Sequence, residues 1–163
     1  MNEQADIKRM IEQEVRLLFE NFDEETALAI GLDIKRRVEA IGGAVAIDVR
    51  FWDRSLFTFS MRGVPEENAH WVQRKANSVK RFQRSSYRMM LERGGEEVME
   101  PFWGLDFAEY VFAGGGFPIR VKGAGCIGAI TISGLPARQD HSIVVAAVCA
   151  SLGVNYEELA LPA

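Results

Sequence analysis

Residues that could carry chemistry in this chain concentrate in two stretches of the sequence. The first is a basic segment from Glu67 to Arg93, which holds seven basic and two acidic side chains in a chain of net charge -4. The second is the glycine-rich segment 113–134, which reads AGGGFPIRVKGAGCIGAITISG. Arginine and lysine bind carboxylates and phosphates, and consecutive glycines can present backbone N–H groups to an anion. The two stretches are therefore candidates for binding an anionic ligand.

Both stretches also have a structural interpretation. The arginines at positions 74, 81, 84 and 88 share one helical face, which could be solvated or could contact an acidic surface of another subunit. The glycines at 114–116 could be required for positive φ or for close packing. Nucleic-acid binding is not expected, because the overall charge opposes it and no aromatic platform accompanies the basic residues.

The sequence shows no self-evident catalytic constellation. It lacks a phosphate loop, GxSxG, HExxH and CxxC, and no residue pair has a spacing that compels acid–base or nucleophilic catalysis. His70 and His141 fall in predicted first turns of helices, where each could be a general base, a metal ligand or a haem ligand. Tyr87 and Tyr110 could supply a phenolate to iron. Since surface, capping and core roles explain these residues equally simply, the sequence leans against an enzyme and predicts no metal site.

Composition indicates one soluble, acidic domain over residues 1–163, which is 48% hydrophobic. The N-terminal residues carry charges where a signal peptide needs an apolar core. The longest apolar run, 143–150, is far shorter than the roughly 20 residues that span a bilayer. Cys126 and Cys149 are expected to be buried free thiols, which suit a reducing cytoplasm. We therefore expect a cytoplasmic protein without membrane or nucleic-acid partners.

Hydrophobic periodicity predicts the elements that must position these residues. A first helix over 6–22 has an apolar stripe, and a second stripe over 27–41 ends at Gly42-Gly43. Strands over 44–51 and 56–61 form a hairpin, followed by a long basic helix to about Glu92. Segment 96–110 is not assigned. A second hairpin pairs 117–122 with 126–133, and a last apolar helix begins near Gln139. The stripe of the first helix comprises Ile7, Ile11, Val15, Leu18 and Phe22.

The segment GGGFPIRVKGAGCIGAITISGLPARQDHSIVVAA resembles the signature of the HbpS-like, or haem-degrading-domain (DUF336), family. This family includes GlcG-type proteins and the C-terminal domain of PduO-type adenosyltransferases. The chain is most similar to the UPF0303 branch, over nearly its whole length. His141 is not part of the shared signature, so histidine-ligated haem is not implied. Positions that match the family pattern are Lys75, Phe82, Ser86, Gly115, Gly116, Pro118, Gly128, Ser133, Gln139 and Asp140.

The resemblance implies a profilin-like, three-layer α/β/α sandwich around an antiparallel sheet of about five strands. It also implies assembly as a homodimer or a higher homo-oligomer. Relatives bind haem or a corrinoid, and some are implicated in haem breakdown, so haem-degrading activity is suggested by the resemblance alone.

Two functions follow as expectations. The first is a small-molecule-binding domain, with haem or another tetrapyrrole in a pocket between the basic helix and the GGGFPI strand. Trp71, Phe82 and Phe117 would form its apolar wall, and Lys75, Arg81 or Arg120 would meet carboxylates. The alternative is an oligomeric structural or adaptor protein without a cofactor, whose basic helix contacts another chain. The residues expected to bind ligand are Lys75, Arg81, Phe82, Ser86, Gly115, Gly116, Phe117 and Arg120.

Overall fold

The structure is a computed structural model that describes residues 2–95 and 101–162. Within these ranges the helices are α1 (Glu3–Arg16), α2 (Glu24–Ala40), α3 (Glu67–Phe82), α4 (Ser86–Glu92), α5 (Ala137–Leu152) and α6 (Tyr156–Leu159). The strands are β1 (Ala46–Phe51), β2 (Ser55–Ser60), β3 (Gly116–Val121) and β4 (Gly125–Ser133). A short 3-10 turn covers Pro101–Trp103. The first part of the unassigned segment, residues 96–100, lies outside the described residues.

The strands form one antiparallel sheet in the order β2-β1-β4-β3. Both predicted hairpins are therefore confirmed, but the described residues give four strands where about five were expected. At the outer edge of β3, Phe19 makes a single parallel bridge to Val121. The Phe19 N–H donates to the Arg120 carbonyl at 2.9 Å, and Lys122 N–H donates back to the Phe19 carbonyl at 3.0 Å. One residue thus occupies the place of an additional strand.

The sheet lies between two helical layers, which confirms the predicted α/β/α sandwich. Helices α2 and α5 pack on one face and α3 on the other. Because side chains alternate along a strand, Ile130 and Ile132 of β4 join the main apolar core while Thr131 and Ser133 face α3. In β1, Ile47 likewise faces the core and Asp48 the α3 side. The two faces of the sheet are chemically different.

Helix α1 docks on a different face from the predicted one. Its apolar residues Ile11 and Val15 are 40% and 66% exposed, and Leu18, which follows the helix, is 37% exposed. The buried side chains are Asp6, Met10, Gln13 and Glu14. The helix also ends at Arg16, before Phe22. The prediction was wrong because the docking face of α1 is largely polar and is satisfied by partners remote in sequence.

Gln13 and Glu14 provide two of these remote contacts. The Gln13 amide nitrogen donates to the Leu159 carbonyl at 2.7 Å. The Glu14 carboxylate accepts from the Ser85 backbone N–H at 2.8 Å and pairs with the Arg88 guanidinium at 2.8 Å. Since each buried polar group finds a partner, burial of this face is tolerated.

The long basic helix is divided into α3 and α4. Gln83 adopts the left-handed conformation, with φ of 55°, and ends α3. Its carbonyl accepts a hydrogen bond from Arg120 of β3. Beyond the break, Ser85 and Ser86 are both buried and Ser86 begins α4. The sequence offers no glycine at this position, so the helix periodicity alone does not reveal the break.

Candidate functional site

A cleft of about 260 Å³ lies between α3 and the glycine-rich segment that precedes β3. We call it the Lys75 cleft, after the charged residue in its wall. It lies between the basic helix and the glycine segment, where the sequence predicts a pocket, and its occupation by a ligand stays a prediction. Its lining residues are Asn68, Trp71, Lys75, Ala113, Gly114, Ser133, Gly134, Leu135 and Ala137.

A buried ion pair lies beside this cleft. The Lys75 ammonium is 3.2 Å from the Asp140 carboxylate, and the two side chains are only 4% and 1% exposed. The ammonium also donates to the Ile132 carbonyl at 3.0 Å, and the Asp140 carboxylate accepts from the Leu135 N–H at 3.2 Å. The pair therefore joins α3 to the first turn of α5 past the end of β4.

Burial and the neighbouring ammonium have opposite effects on the pKa of Asp140. Burial raises the pKa of Asp140, and the neighbouring Lys75 ammonium works in the opposite direction. Replacing a buried charged pair by well-packed apolar residues of similar volume is often neutral or stabilising in proteins, so the pair is weak evidence for a purely stabilising role. A buried charged pair with a perturbed pKa beside a cleft is a marker of functional sites.

The consecutive glycines are required by close packing. Gly115 has φ of 120°, and a Cβ atom there would lie 2.3 Å from the Ile132 carbonyl oxygen and 3.1 Å from Lys75 Nζ. A Cβ atom at Gly114 would lie 1.9 Å from the Ala137 carbonyl oxygen. These contacts support the structural interpretation of the glycine run, which lets α5 and Lys75 approach the backbone.

Ser86 and Gly116 form a structural link beneath the basic helix. The Gly116 N–H donates to Ser86 Oγ at 2.8 Å, and a Cβ atom at Gly116 would lie 2.9 Å from Val79 Cγ2. Both residues are buried. This link fixes the start of α4 against the start of β3, and a role in ligand binding stays a prediction.

Four other residues expected at the site do not line the Lys75 cleft. Phe117 is buried on the opposite face of the sheet, with its ring centroid 6.0 Å from that of His141. Phe82 packs edge-on against Phe112 at 5.5 Å, and Arg120 donates to the Gln83 carbonyl. Arg81 lines a separate groove. Of the eight residues expected to bind ligand, Lys75 alone lines the Lys75 cleft, and the binding roles of all eight stay predictions.

The two histidines occupy contrasting environments, and neither lines the Lys75 cleft. His70 is exposed on α3. His141 is completely buried, with Nε2 2.8 Å from the Gln13 side-chain oxygen. Because that oxygen is an acceptor, Nε2 carries the proton. Burial, aided by the positive charge of Arg138, lowers the pKa of His141 to about 3, so the imidazole is neutral.

Most of the basic side chains between Glu67 and Arg93 have partners within the chain. Arg74 stacks between Trp71 and Phe107, with its guanidinium carbon 4.7 Å and 4.4 Å from the ring centroids. Arg93 lies 3.5 Å from the Trp103 ring centroid. Lys75 pairs with Asp140, Arg84 with Glu92, and Arg88 with Glu14 and Glu92.

The two remaining basic residues, Lys80 and Arg81, line a groove of about 540 Å³ together with Asn77, Glu109 and Tyr110. We call this the Arg81 groove. Lys80 and Arg81 are both exposed and form no ion pair with any residue in the ranges 2–95 and 101–162. The arginine stripe of the sequence is therefore not one free cationic surface, since most of its charge is used internally.

Among the described residues, no group of three or more His, Cys, Asp or Glu side chains could hold a metal ion. No helix within residues 2–95 and 101–162 is long and apolar enough to cross a membrane.

The fold and cleft define a class: a three-layer α/β/α domain with a buried Lys–Asp pair beside a small cleft. A family profile described as "Haem degrading protein HbpS-like" matches residues 22–149. A UPF0303 protein of Brucella melitensis is 46% identical over 163 residues, which cover 99% of this chain and 96% of the relative. One of Mesorhizobium japonicum is 46% identical over 157 residues, covering 96% and 94%. The chain therefore belongs to the HbpS-like family, as the resemblance predicted.

Solved structures agree with this assignment. The crystal structure of the Ybr137w protein has a TM-score of 0.81 at 28% identity, and the match covers 88% of this chain and 86% of that chain. A haem complex of PduOC has a TM-score of 0.67 at 17% identity, covering 83% and 97%. A double mutant of HbpS from Streptomyces reticuli has a TM-score of 0.64 at 18% identity, covering 80% and 86%. At these lower identities, the last two matches show the fold alone.

Proposed function

We propose that this chain is a small-molecule-binding domain and that the Lys75 cleft receives the carboxylate-bearing edge of a tetrapyrrole. The observation that carries the proposal is the buried Lys75–Asp140 pair beside a cleft that Trp71 also lines. Asp140 balances the charge of Lys75, but an ammonium group forms charge-assisted hydrogen bonds with carboxylate oxygens, and an indole offers a flat apolar surface to a planar ring. Membership of the HbpS-like family and the haem complex of PduOC support a tetrapyrrole as the ligand class.

The dimensions of the cleft limit how such a ligand could bind. Its volume of about 260 Å³ is smaller than the roughly 300–1,000 Å³ of most ligand pockets, so only one edge of a tetrapyrrole enters. The rest of the tetrapyrrole ring would extend toward the Trp71 indole and toward the Arg74 guanidinium, which stacks on that indole. The proposed contacts therefore concern the carboxylates and the ring, while the metal would lie outside the cleft.

The side chains that line the cleft do not suit coordination of haem iron. None of the nine is histidine, cysteine, methionine or tyrosine, the residue types that ligate haem iron. The residues fit a porphyrin carboxylate but do not fit the iron. We propose binding and no reaction step, because the charge of Lys75 is already engaged by Asp140.

The test is a titration with haemin and with iron-free protoporphyrin IX. Both should bind saturably near one per chain, with dissociation constants within about tenfold of each other, or about 1.4 kcal/mol. Asn68→Trp, which fills the cleft, should abolish binding of both. Gln73→Trp, which adds the same side chain at an exposed position of α3, is the matched control.

Two results would contradict the site. If haemin binds while protoporphyrin IX does not, the iron carries the affinity and the cleft residues do not explain it. If Asn68→Trp binds as well as the control, the ligand lies elsewhere, and Tyr110→Phe then tests whether the Arg81 groove supplies a phenolate to the iron.

A second candidate function, self-assembly, is favoured by the exposed apolar residues of α1. Ile11 and Val15 lie four residues apart on one face of α1, and Leu18 follows just beyond the end of the helix. The described residues leave all three exposed. The basic helix is a poorer candidate for such contacts, because Arg84 and Arg88 pair with Glu92 and Glu14 in the same chain. We therefore propose that any homodimer or higher homo-oligomer buries α1.

A cytoplasmic location is likewise proposed, from the two thiols on separate elements.

Sedimentation velocity distinguishes the two kinds of contact. If α1 forms the interface, Val15→Glu should shift the protein to a smaller species, and high salt should not. If the basic helix forms it, salt should dissociate the assembly, because exposed charge contacts are screened within about 10 Å at 0.1 M ionic strength. A sedimentation coefficient unchanged by Val15→Glu would exclude α1 as the interface.

A further inference from the structure

Two adjacent cations near the end of α3 are not engaged by other residues in the described part of the chain. Of the basic side chains between Glu67 and Arg93, only Lys80 and Arg81 lack an ion pair, a stacking partner and a hydrogen bond in the ranges 2–95 and 101–162. Both lie in the last turn of α3, where the helix dipole stabilises positive charge. The dipole explains how the folded protein tolerates these two charges without an ion pair to another described residue. It does not explain why both line the Arg81 groove.

From this arrangement we propose that the Arg81 groove is a second ligand site, separate from the Lys75 cleft, for a small molecule with one oxyanion group. The groove has a volume of about 540 Å³, within the roughly 300–1,000 Å³ typical of small-molecule sites. Lys80 and Arg81 would hold the oxyanion, because ammonium and guanidinium groups form charge-assisted hydrogen bonds with carboxylate and phosphate oxygens.

The wall opposite α3 is held in place by hydrogen bonds to the helix. The Asn77 amide nitrogen donates to the Glu109 carbonyl at 2.8 Å, and the Val111 N–H donates to Ser78 Oγ at 3.1 Å. Arg74 Nε donates to the Phe107 carbonyl at 2.9 Å. Segment 107–111 is therefore fixed along α3 before any ligand arrives, and binding does not have to order it.

The lining defines the class of ligand more closely. Glu109 adds one negative charge to the two positive charges of Lys80 and Arg81. A second anionic group on the Glu109 side would be repelled, so the remainder of the ligand is neutral or cationic. The side chain of Tyr110 offers an aromatic surface in the same groove. A nucleic acid is a poor fit, since the chain carries a net charge of -4.

Phenyl phosphate and benzoate are suitable probes, because they combine one oxyanion with an aromatic ring. Titration of the full chain, followed by ¹H–¹⁵N NMR, should shift the side-chain resonances of Asn77 and Arg81 saturably. Lys80→Gln with Arg81→Gln should weaken binding by at least about tenfold. Lys8→Gln with Arg62→Gln removes two exposed cations outside the groove and should leave the affinity unchanged. The tighter probe identifies the preferred oxyanion.

The Glu109 carboxylate gives a test with the opposite sign. Glu109→Gln should tighten binding by about two- to fivefold, because it removes the repelling charge at the rim. Shifts that do not saturate, equal loss of affinity in the Lys8 and Arg62 control, or no gain on Glu109→Gln would each overturn the proposal. The test is independent of the Lys75 cleft, since Asn68→Trp should leave phenyl phosphate binding unchanged.

Discussion

The two faces of the central sheet use different chemistry to hold the helices above them. The face toward α2 and α5 is lined by aliphatic side chains, such as Ile47, Ile130 and Ile132. The face toward α3 carries buried polar side chains, including Asp48, Thr131 and Ser133. The comparison indicates that the first face supplies most of the stability. The second face has groups that require specific partners, and both proposed ligand sites lie along the helix that covers it.

The buried polar groups on the α3 side of the sheet differ in how well their hydrogen bonds are satisfied. The Asp48 carboxylate accepts from Arg50 Nε at 2.5 Å, from Ser55 Oγ at 2.5 Å and from Thr58 Oγ1 at 3.0 Å. Thr131 Oγ1, by contrast, has no hydrogen-bond partner among the described residues. A buried polar group without a partner costs about 1–3 kcal/mol. This face is therefore less well optimised for stability than the aliphatic one.

The largest effect on stability is expected from breaking the Lys75–Asp140 pair. Lys75→Met leaves a buried carboxylate without its partner, and we expect a loss of about 3–5 kcal/mol in the free energy of unfolding. Lys75→Met with Asp140→Leu removes both charges and should recover most of that loss. Urea denaturation measures both variants. If the double variant is no more stable than Lys75→Met alone, the unpaired Asp140 carboxylate is not the cause of the lost stability.

The aliphatic face should respond differently to truncation. Ile132→Ala removes part of a fully buried side chain, and a loss of about 2–5 kcal/mol is expected. No compensating second substitution should restore it, because the cost lies in lost packing and a cavity. The same denaturation experiment measures it, and a loss well below 1 kcal/mol would mean that this face packs loosely.

The next effect concerns pH and His141. Its pKa is about 3 in the folded state against an unperturbed value of 6.5, so the unfolded chain takes up the proton first as the pH falls. Stability is fully present above about pH 6.5 and is lost progressively toward pH 3. At pH 5 the loss from this group is about 2 kcal/mol relative to pH 8. Subtracting the pH profile of His141→Gln isolates this contribution, and identical profiles would refute it.

The smallest effect compares two threonines on the polar face. Thr131→Val removes a hydroxyl without a partner and should be neutral or stabilising by up to about 1 kcal/mol. Thr58→Val removes one donor to the Asp48 carboxylate and should destabilise, by about 1 kcal/mol because Asp48 keeps two other donors. Thermal unfolding of the two threonine variants measures the difference in stability. A larger loss for Thr131→Val would mean that its hydroxyl has a partner.

Hydrophobic periodicity correctly predicted the helical face that is buried where that face is apolar. The stripe of α2 is buried at Ala27, Ile30, Ile34 and Val38, because these residues meet the aliphatic face of the sheet. It failed at α1, where the docking face depends on Gln13 and Glu14 finding partners far away in sequence. Hydrophobic patterns carry no information about such pairings.

The candidate site was predictable only in part. At helical spacing Lys75 shares a face of the basic helix with Trp71 and Val79, and the structure buries Lys75 on that face. Its partner Asp140 lies 65 residues further along the chain, and only the tertiary fold brings the two together. A helical projection also does not show which basic residues have partners within the chain and which line the Arg81 groove, because it contains no tertiary contacts.

The most direct measurement of the central claim is the ¹H–¹⁵N NMR spectrum of the three tryptophan indoles during titration with protoporphyrin IX. Trp71 lines the Lys75 cleft, whereas the Trp52 indole N–H donates to the Cys126 carbonyl at 3.0 Å and does not line it. We predict a saturable shift of the Trp71 indole near one equivalent, with Trp52 unchanged and Asn68→Trp abolishing the effect. An unshifted Trp71 signal with shifts confined to Tyr110 and Arg81 would contradict it.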